Sequence, residues 1–439
     1  MPFVPLEKSV QDVADESYAY LYPLVLMEFT RRYTTTTTRG PEAHMNRFIH
    51  RRQLPEAGYE GVVGTNHDTL YSSCHLDVSN GPYLLSIPSI SDRFFTFPIL
   101  DMWTDVLGAP GSRTVGSSPT NIAICTPQWQ GELPQGFERF NVSTPVVWIV
   151  GRIESRGRSD FDKIVALQDQ ILLRPLDPLN SPENTRGAVE ELNIQIAPPA
   201  HTEALSGAAF FEFASELLKK HPVHSTDWDM VARLRQLGLI VGKSFDASMQ
   251  TQEVQDALEE SKATFLPKII EHAGSYGKIT NGWRIGSGSP PFGNEYFNRA
   301  VAAKFGLAGN GHKVSIHPRL LVDENKEALI GSKNYLIRFE ANALPPANAF
   351  WSLTLYNQRG YIEPNVLERY AIGDRDDLQF EDDGSLEFYV SKDQPTNSRY
   401  LKNWIPSIEQ SFYVVLRLYL PDNNVALGKW KPPLVRVVE

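Results

Sequence analysis

Only two cysteines, Cys74 and Cys125, occur among 439 residues, too few for a disulfide framework. Both lie in strand-like runs, where a buried free thiol behaves as a small hydrophobe, so a reducing, cytoplasmic setting is expected. No run of about 18 apolar residues is present, and no membrane-spanning helix is expected. The start, Met1-Pro2-Phe3-Val4-Pro5, soon meets Glu7, Asp12, Asp15 and Glu16, and lacks the basic and apolar regions of a secretory signal. Basic runs are missing too, and the formal net charge is −10, which makes nucleic acid or an anionic membrane a poor partner. There is no G-x-x-x-x-G-K-[ST] phosphate loop and no G-x-S-x-G elbow, and Gly286-Ser287-Gly288 meets proline where a dinucleotide fingerprint needs its third glycine. The tightest histidine pair, His221 and His224, has no third ligand nearby and reads as a helix-end or surface pair. No metal and no cofactor are expected.

What is abundant is aromatic and turn-forming. Aromatic content of 11% with 31 prolines and 30 glycines implies many turns and few long helices, hence a largely β chain. The length exceeds one ordinary core. The expected class is α+β, mostly β: two antiparallel β-sandwich or jelly-roll-like domains at 61–158 and 311–439. An N-terminal helix and loop occupy 1–60, and a helical connecting segment occupies 159–310. Helical spacing of Val10, Val13, Ala14, Tyr18, Leu21, Val25 and Phe29 predicts a helix over 8–33, kinked or divided at Pro23. Helices are also expected over 161–173, 207–220, 254–272 (interrupted at Pro267) and 295–305, with Thr226-Asp227-Trp228-Asp229 as a capping box. The threonine run 34–38 suits a loop. Strands are expected at 83–87, 93–101, 121–126, 145–152, 335–339, 350–356, 386–390 and 412–419.

The stretch 63–78 carries the most chemistry. A glycine and Asn66-His67-Asp68 form a turn, after which the residues alternate as a half-buried strand should. Leu70, Cys74 and Leu76 share one face; Thr69, Tyr71, Ser73, His75 and Asp77 share the other. That second face looks either at solvent or into a cavity. If a cavity, Tyr71 and His75 flank one ligand, since at roughly 3.3 Å per residue they stand about 13 Å apart. The strand at 93–103 is apolar on both faces and therefore central. It ends in Asp101-Met102-Trp103, read either as a turn cap or as an acid at an aromatic pocket mouth. Trp283 in a glycine-rich loop, and Trp351 and Tyr356 in a later strand, are either pocket walls or core aromatics. Arg417 reads as an ion-pair partner.

Several of these residues resemble known family signatures. Asn66-His67-Asp68-Thr69-Leu70-Tyr71, Leu76-Asp77-Val78-Ser79-Asn80-Gly81-Pro82 and Arg93-Phe94-Phe95 resemble the module called domain of unknown function 1254. Leu344-Pro345-Pro346, Phe350-Trp351-Ser352-Leu353-Thr354-Leu355-Tyr356, Arg369-Tyr370, Asn403-Trp404 and Leu416-Arg417-Leu418-Tyr419-Leu420-Pro421 resemble its usual companion, domain of unknown function 1214. The resemblance covers most of the chain and implies two mostly antiparallel β domains with helical segments. The chain departs from the family pattern at His67 and His75, and at Ile316-His317-Pro318, where tyrosine is expected. Fungal members stand beside biosynthetic enzymes, which implies a metabolite substrate.

The expectation is an enzyme acting on a small, largely apolar metabolite in a β-walled pocket by cofactor-independent cyclisation, isomerisation or elimination. His75 is the expected base or donor, Tyr71 a donor and Asp101 the acid. Asn66, His67, Asp68, Trp103, Trp283, Trp351 and Tyr356 are the expected substrate contacts. Two alternatives stay open: a metal-assisted hydrolase or lyase using His67, His75 and Asp68 or Asp101, and a non-catalytic small-molecule or sugar-binding protein. Homo-oligomerisation is open as well.

Overall fold

The computed structural model describes residues 8–36, 44–58, 64–180, 192–275, 277–286 and 292–438. Its first element is the helix Val10–Thr35, started by a reciprocal cap between Ser9 and Asp12. Polar residues gather in the first two turns (Gln11, Asp12, Asp15, Glu16) and in the last two, where buried Glu28 pairs with Arg31 and Arg32. From Ser17 to Thr30 every side chain is buried, including Tyr18, Tyr20 and Tyr22 on successive faces. A helix apolar all round must be enclosed. Five helices surround it: Pro198–Ala204, Gly207–Leu217, Trp228–Gln236, Gln252–Ser275 and Tyr296–Gly306. Pro23 and Pro267 lie inside continuous helices, so neither divides its element. Packing from several sides offsets the roughly 3 kcal/mol that an interior proline costs. Thr34 and Thr35 close the first helix rather than forming a loop, and residues 37 and 38 lie outside the described residues.

The first β module is a sandwich. One sheet orders Ile49–His50, Thr69–Asp77, Val146–Glu154, Ile99–Asp101 and Val106–Gly108, with Phe95–Thr96 also on Val146–Glu154. The other orders Leu172–Pro175, Tyr83–Ile87, Thr120–Cys125 and Glu138–Asn141. Leu70, Cys74, Leu76, Leu85, Ile124 and Ile149 fill the space between them. Pro98 parts the expected continuous strand at 93–101 into two short ones. Residues 161–173 likewise split into a helix, Phe161–Gln168, and an edge strand, Leu172–Pro175. The outer face of the first sheet is covered by the helical layer, into whose core Leu100, Trp103 and Val150 project. The architecture is α+β, in layers of helices, sheet and sheet.

The second module repeats the sandwich. Lys278–Thr280 and Trp283–Ile285, from the expected connecting segment, join Arg319–Leu320, Phe412–Pro421, Ala347–Asn357 and Ile372–Gly373 in one sheet. Trp404–Pro406, Leu386–Ser391, Asn334–Phe339 and Val435–Val438 form the other. Strand parity assigns the faces of the two long central strands. Trp351, Leu353, Leu355, Leu416 and Leu418 point into the sandwich core. Phe350, Ser352, Tyr356, Arg417 and Tyr419 take the opposite parity, and several of them meet the first module.

No described helix is long and apolar enough to cross a membrane. Cys74 and Cys125 are buried free thiols, and burial pushes both pKa values up. Addition of dithiothreitol is therefore expected to leave the thermal midpoint unchanged; a clear drop on reduction contradicts the free-thiol assignment.

Candidate functional site

The turn at 66–69 is built by one side chain. Asn66 Oδ1 accepts from the Asp68 and Thr69 backbone amides, both at 2.9 Å, and from the Thr69 hydroxyl at 3.1 Å. Its Nδ2 donates to the Tyr71 hydroxyl at 2.6 Å. The turn thereby aims Asp68, fully buried, at the second module. There Asp68 accepts from Ser352 Oγ at 2.7 Å and from the Tyr419 hydroxyl at 3.2 Å, and it pairs with Arg375. Arg375 also donates to the Ser155 carbonyl at 2.6 Å, and its guanidinium lies 3.9 Å from the centre of the Phe350 ring. Gly373 makes this approach possible, because a Cβ there would stand 2.0 Å from the Trp351 carbonyl oxygen.

Around this pair the interface is basic and aromatic. Arg417, buried, donates to the Gly64 carbonyl at 3.0 Å and lies over the Tyr356 ring, whose hydroxyl donates to the Thr65 carbonyl at 2.6 Å. The second amino group of Arg417, Nη1, is buried without a partner. Arg152 lies over the Tyr71 ring and donates to the Ala308 carbonyl at 2.7 Å and to Asn310 Oδ1 at 3.0 Å. Desolvation, followed by the nearby Asp68 charge, holds the Tyr419 hydroxyl far above its ordinary pKa, so it stays a donor.

Beside this network, where the helical layer meets the second module, lies a cavity of about 720 Å³. Ile270, Phe292, Val301, Phe305 and Leu307 make one wall; Arg284, His312, His317, Arg319 and Asn310 make the other. His317 is exposed and lies on the wall of this open cavity. Desolvation there, with Arg417, Arg152, Arg319 and His312 around it, pushes its pKa well below 6.5. It is a neutral imidazole at pH 7, able to accept a proton. A second hollow of about 870 Å³ lies on the second module, with exposed polar groups such as Arg359, Lys392, Asp393 and Glu409 on its wall beside Pro364, Val366 and Ile408.

The expected site residues divide among four places. Asn66, His67, Asp68, Tyr71 and Tyr356 gather at the module interface, with the His67 ring against Tyr370. His75 is buried as an enclosed face requires, but the enclosing element is the first helix. Its ring stacks on Trp148 at 5.1 Å and its Nδ1 meets Thr34 Oγ1 at 3.0 Å, so it is not part of the cavity wall. Trp283 and Trp351 are core residues of the second sandwich. The expected trio of His75, Tyr71 and Asp101 is therefore not assembled.

Asp101 heads a separate buried cluster that the sequence reading did not foresee. Its Oδ2 accepts from His224 Nε2 at 2.9 Å and from Ser143 Oγ at 2.7 Å. Asp227, and not the expected Thr226, holds the N-cap position of Trp228–Gln236, but its side chain makes no cap bond: it accepts from the Tyr20 and Tyr296 hydroxyls and lies 3.7 Å from His224 Nδ1. Asp105 pairs with Arg299 at 3.0 Å, and Trp103 stacks on Tyr20 nearby. Asp101, Asp105 and His224 are, among the described residues, the one group whose atoms could hold a metal ion. Although desolvation works against it, the hydrogen bond and charge of Asp101 raise the His224 pKa, so His224 serves as an ion-pair partner. A cation would have to displace that proton and compete with Arg299. His67 and His75, the ligands expected for a metal-assisted site, belong to no such group.

Two sandwiches, antiparallel except for the parallel edge pairs Thr120–Cys125 with Glu138–Asn141 and Leu386–Ser391 with Trp404–Pro406, a helical layer and a basic cavity at their junction define the class of protein. Residues 45–175 match the family model described as Protein of unknown function (DUF1254), and residues 314–423 that described as Protein of unknown function (DUF1214). The chain belongs to the family that carries this tandem. The crystal structure of the VPA0106 protein from Vibrio parahaemolyticus matches it with a TM-score of 0.72 at 21% identity, covering 98% of this chain and 100% of that one; the likeness is one of fold. A second structure, of an uncharacterised protein from Burkholderia cenocepacia, matches with a TM-score of 0.48 at 12% identity, covering 98% and 94%. No curated protein matches the sequence.

Proposed function

We propose that the chain is an enzyme acting on a small, largely apolar metabolite in the inter-module cavity, by cofactor-independent proton transfer of the kind cyclisation, isomerisation or elimination requires. The observation that carries this reading is His317, a neutral imidazole inside a cavity with one apolar wall. A ring nitrogen of His317 takes the proton from a carbon acid, the part first expected of His75. The charge left on the substrate oxygen is stabilised by the field of Arg152, Arg319 and Arg417. That field holds down the basicity of the empty site, and a developing negative charge restores it. The same reading places the chain in the cytoplasm, in a biosynthetic pathway of secondary metabolism.

The test uses the low-molecular-mass extract of the producing organism, with mass spectrometry to find the compound that the purified protein consumes. His317→Gln is expected to slow that consumption by about 10²–10⁴ with an unchanged thermal midpoint. Ala302→Trp, which fills the cavity from the helix side, is expected to abolish it. Wild-type rates in His317→Gln remove the base, and wild-type rates in Ala302→Trp remove the cavity.

A further inference from the structure

We propose that the cavity selects molecules bearing a carboxylate at one end, held between Arg284 and Arg319, with an apolar remainder; this rests on the reading of the cavity as a small-molecule site. The first observation is register. The antiparallel strands Trp283–Ile285 and Arg319–Leu320 place Arg284 directly opposite Arg319, and both line the cavity. Like charges directly opposite on paired strands repel. The second observation is what fails to neutralise them. The chain carries a net charge of −10, yet among the described residues no aspartate or glutamate lines this cavity. Neither arginine is ion-paired to a described carboxylate. Arg284 Nε is buried without a partner, and the residue's one hydrogen bond is a long 3.5 Å contact with the Ala273 carbonyl. His317, two residues before Arg319, adds a single N–H donor on the same wall.

Two helices, Gln252–Ser275 and Tyr296–Gly306, end at the cavity, and each C-terminus supplies at most about half a negative charge. The Ala308 carbonyl beyond the second is already taken by Arg152 at 2.7 Å. The helix ends therefore offset part of the basic charge and leave Arg284 Nε and the Arg319 fork open. A carboxylate offers two oxygens in the plane that guanidinium groups match. Ile270, Phe292, Val301 and Phe305 across the cavity suit an uncharged hydrocarbon remainder rather than a second anionic group. The volume is that of a drug-sized ligand.

Benzoate, benzyl alcohol and inorganic phosphate, titrated separately against the full chain at low ionic strength, test this by thermal shift and calorimetry. Benzoate is expected to raise the wild-type midpoint saturably, and Arg284→Gln/Arg319→Gln to weaken its apparent affinity at least tenfold. Without ligand the double variant is expected to melt no lower than wild type, because the repulsion is gone. If the double variant does not fold, Arg319→Gln alone, at an exposed residue, is read in the same way. A benzoate shift equal in both proteins, or absent from both, overturns the proposal. Benzyl alcohol binding as well as benzoate overturns the head-group assignment and leaves the cavity standing as an apolar site. Phosphate binding more tightly than benzoate overturns the carboxylate choice. The catalytic reading is judged separately, by turnover in His317→Gln and Ala302→Trp.

Discussion

Asp68→Ala is expected to destabilise the folded chain by about 3–5 kcal/mol, the range seen when one partner of a buried ion pair is removed. The carboxylate joins Ser352, Tyr419 and Arg375 across the module interface. Its loss leaves the Arg375 guanidinium largely desolvated over Phe350 without its paired anion, though the charge of Glu154 remains near it. The readout is the first transition on urea or thermal unfolding, since a chain of several layers is not bound to unfold in one step. Asp68→Ala/Arg375→Leu is expected to lose much less than Asp68→Ala and Arg375→Leu combined, because it removes both charges together. Additive losses in that cycle, or a single-variant loss under 1 kcal/mol, contradict the role given to the pair.

Acidification from pH 7 towards pH 3 is expected to cost stability over a wide window, with His75 a main contributor. Burial lowers the pKa of His75 to about 3 and those of His50, His67 and His221 to about 4. The unfolded chain takes up these protons near pH 6.5 and the folded chain does not, so stability falls as pH drops below about 6.5 and levels off only below the folded values. Each tenfold difference in proton affinity is worth about 1.4 kcal/mol. Glu28, held at about 2 against its burial by Arg31 and Arg32, extends the loss below its unfolded value of 4.5 in the same direction. Asp374, raised by burial to about 6, and His224, raised by Asp101, act oppositely: the stability they contribute is present at low pH and fades as pH rises. The larger number of depressed groups sets the net sign. His75→Phe keeps a flat ring against Trp148 and removes the titration, so its midpoint is expected to fall less between pH 6.5 and 4 than that of wild type. Equal slopes for the two proteins contradict the assignment.

Strand parity was legible in the residues. The alternation over 69–77 correctly turned Leu70, Cys74 and Leu76 inward and put Tyr71 and His75 on the other face. Parity names a face and leaves its cover open. Here the cover changes along nine residues, from the second module at Tyr71 to the first helix at His75, so two side chains on one face belong to different environments. The same rule applied to 350–356 separates Trp351, inward, from Tyr356, outward; the aromatic content alone does not. Arg284 and Arg319 were not legible, because each sits in a strand of two or three residues, too short to show a period. His224 escaped for a related reason. Its partners Asp101 and Asp105 lie more than a hundred positions earlier and are brought to it only by the packing of helices on the sheet.

The helix Val10–Thr35 is made before every helix that encloses it. Its neighbours span residues 198–306, so during synthesis at about 5–20 residues per second it waits on the order of 10–60 s for the last of them. Through that interval it has only the outer face of the first sheet, with Leu100, Trp103 and Val150, to rest against. Its burial closes loops well over a hundred residues long, such as the 181 positions between Tyr22 and Glu203, a slow kind of contact to form that leaves the young chain exposed to aggregation.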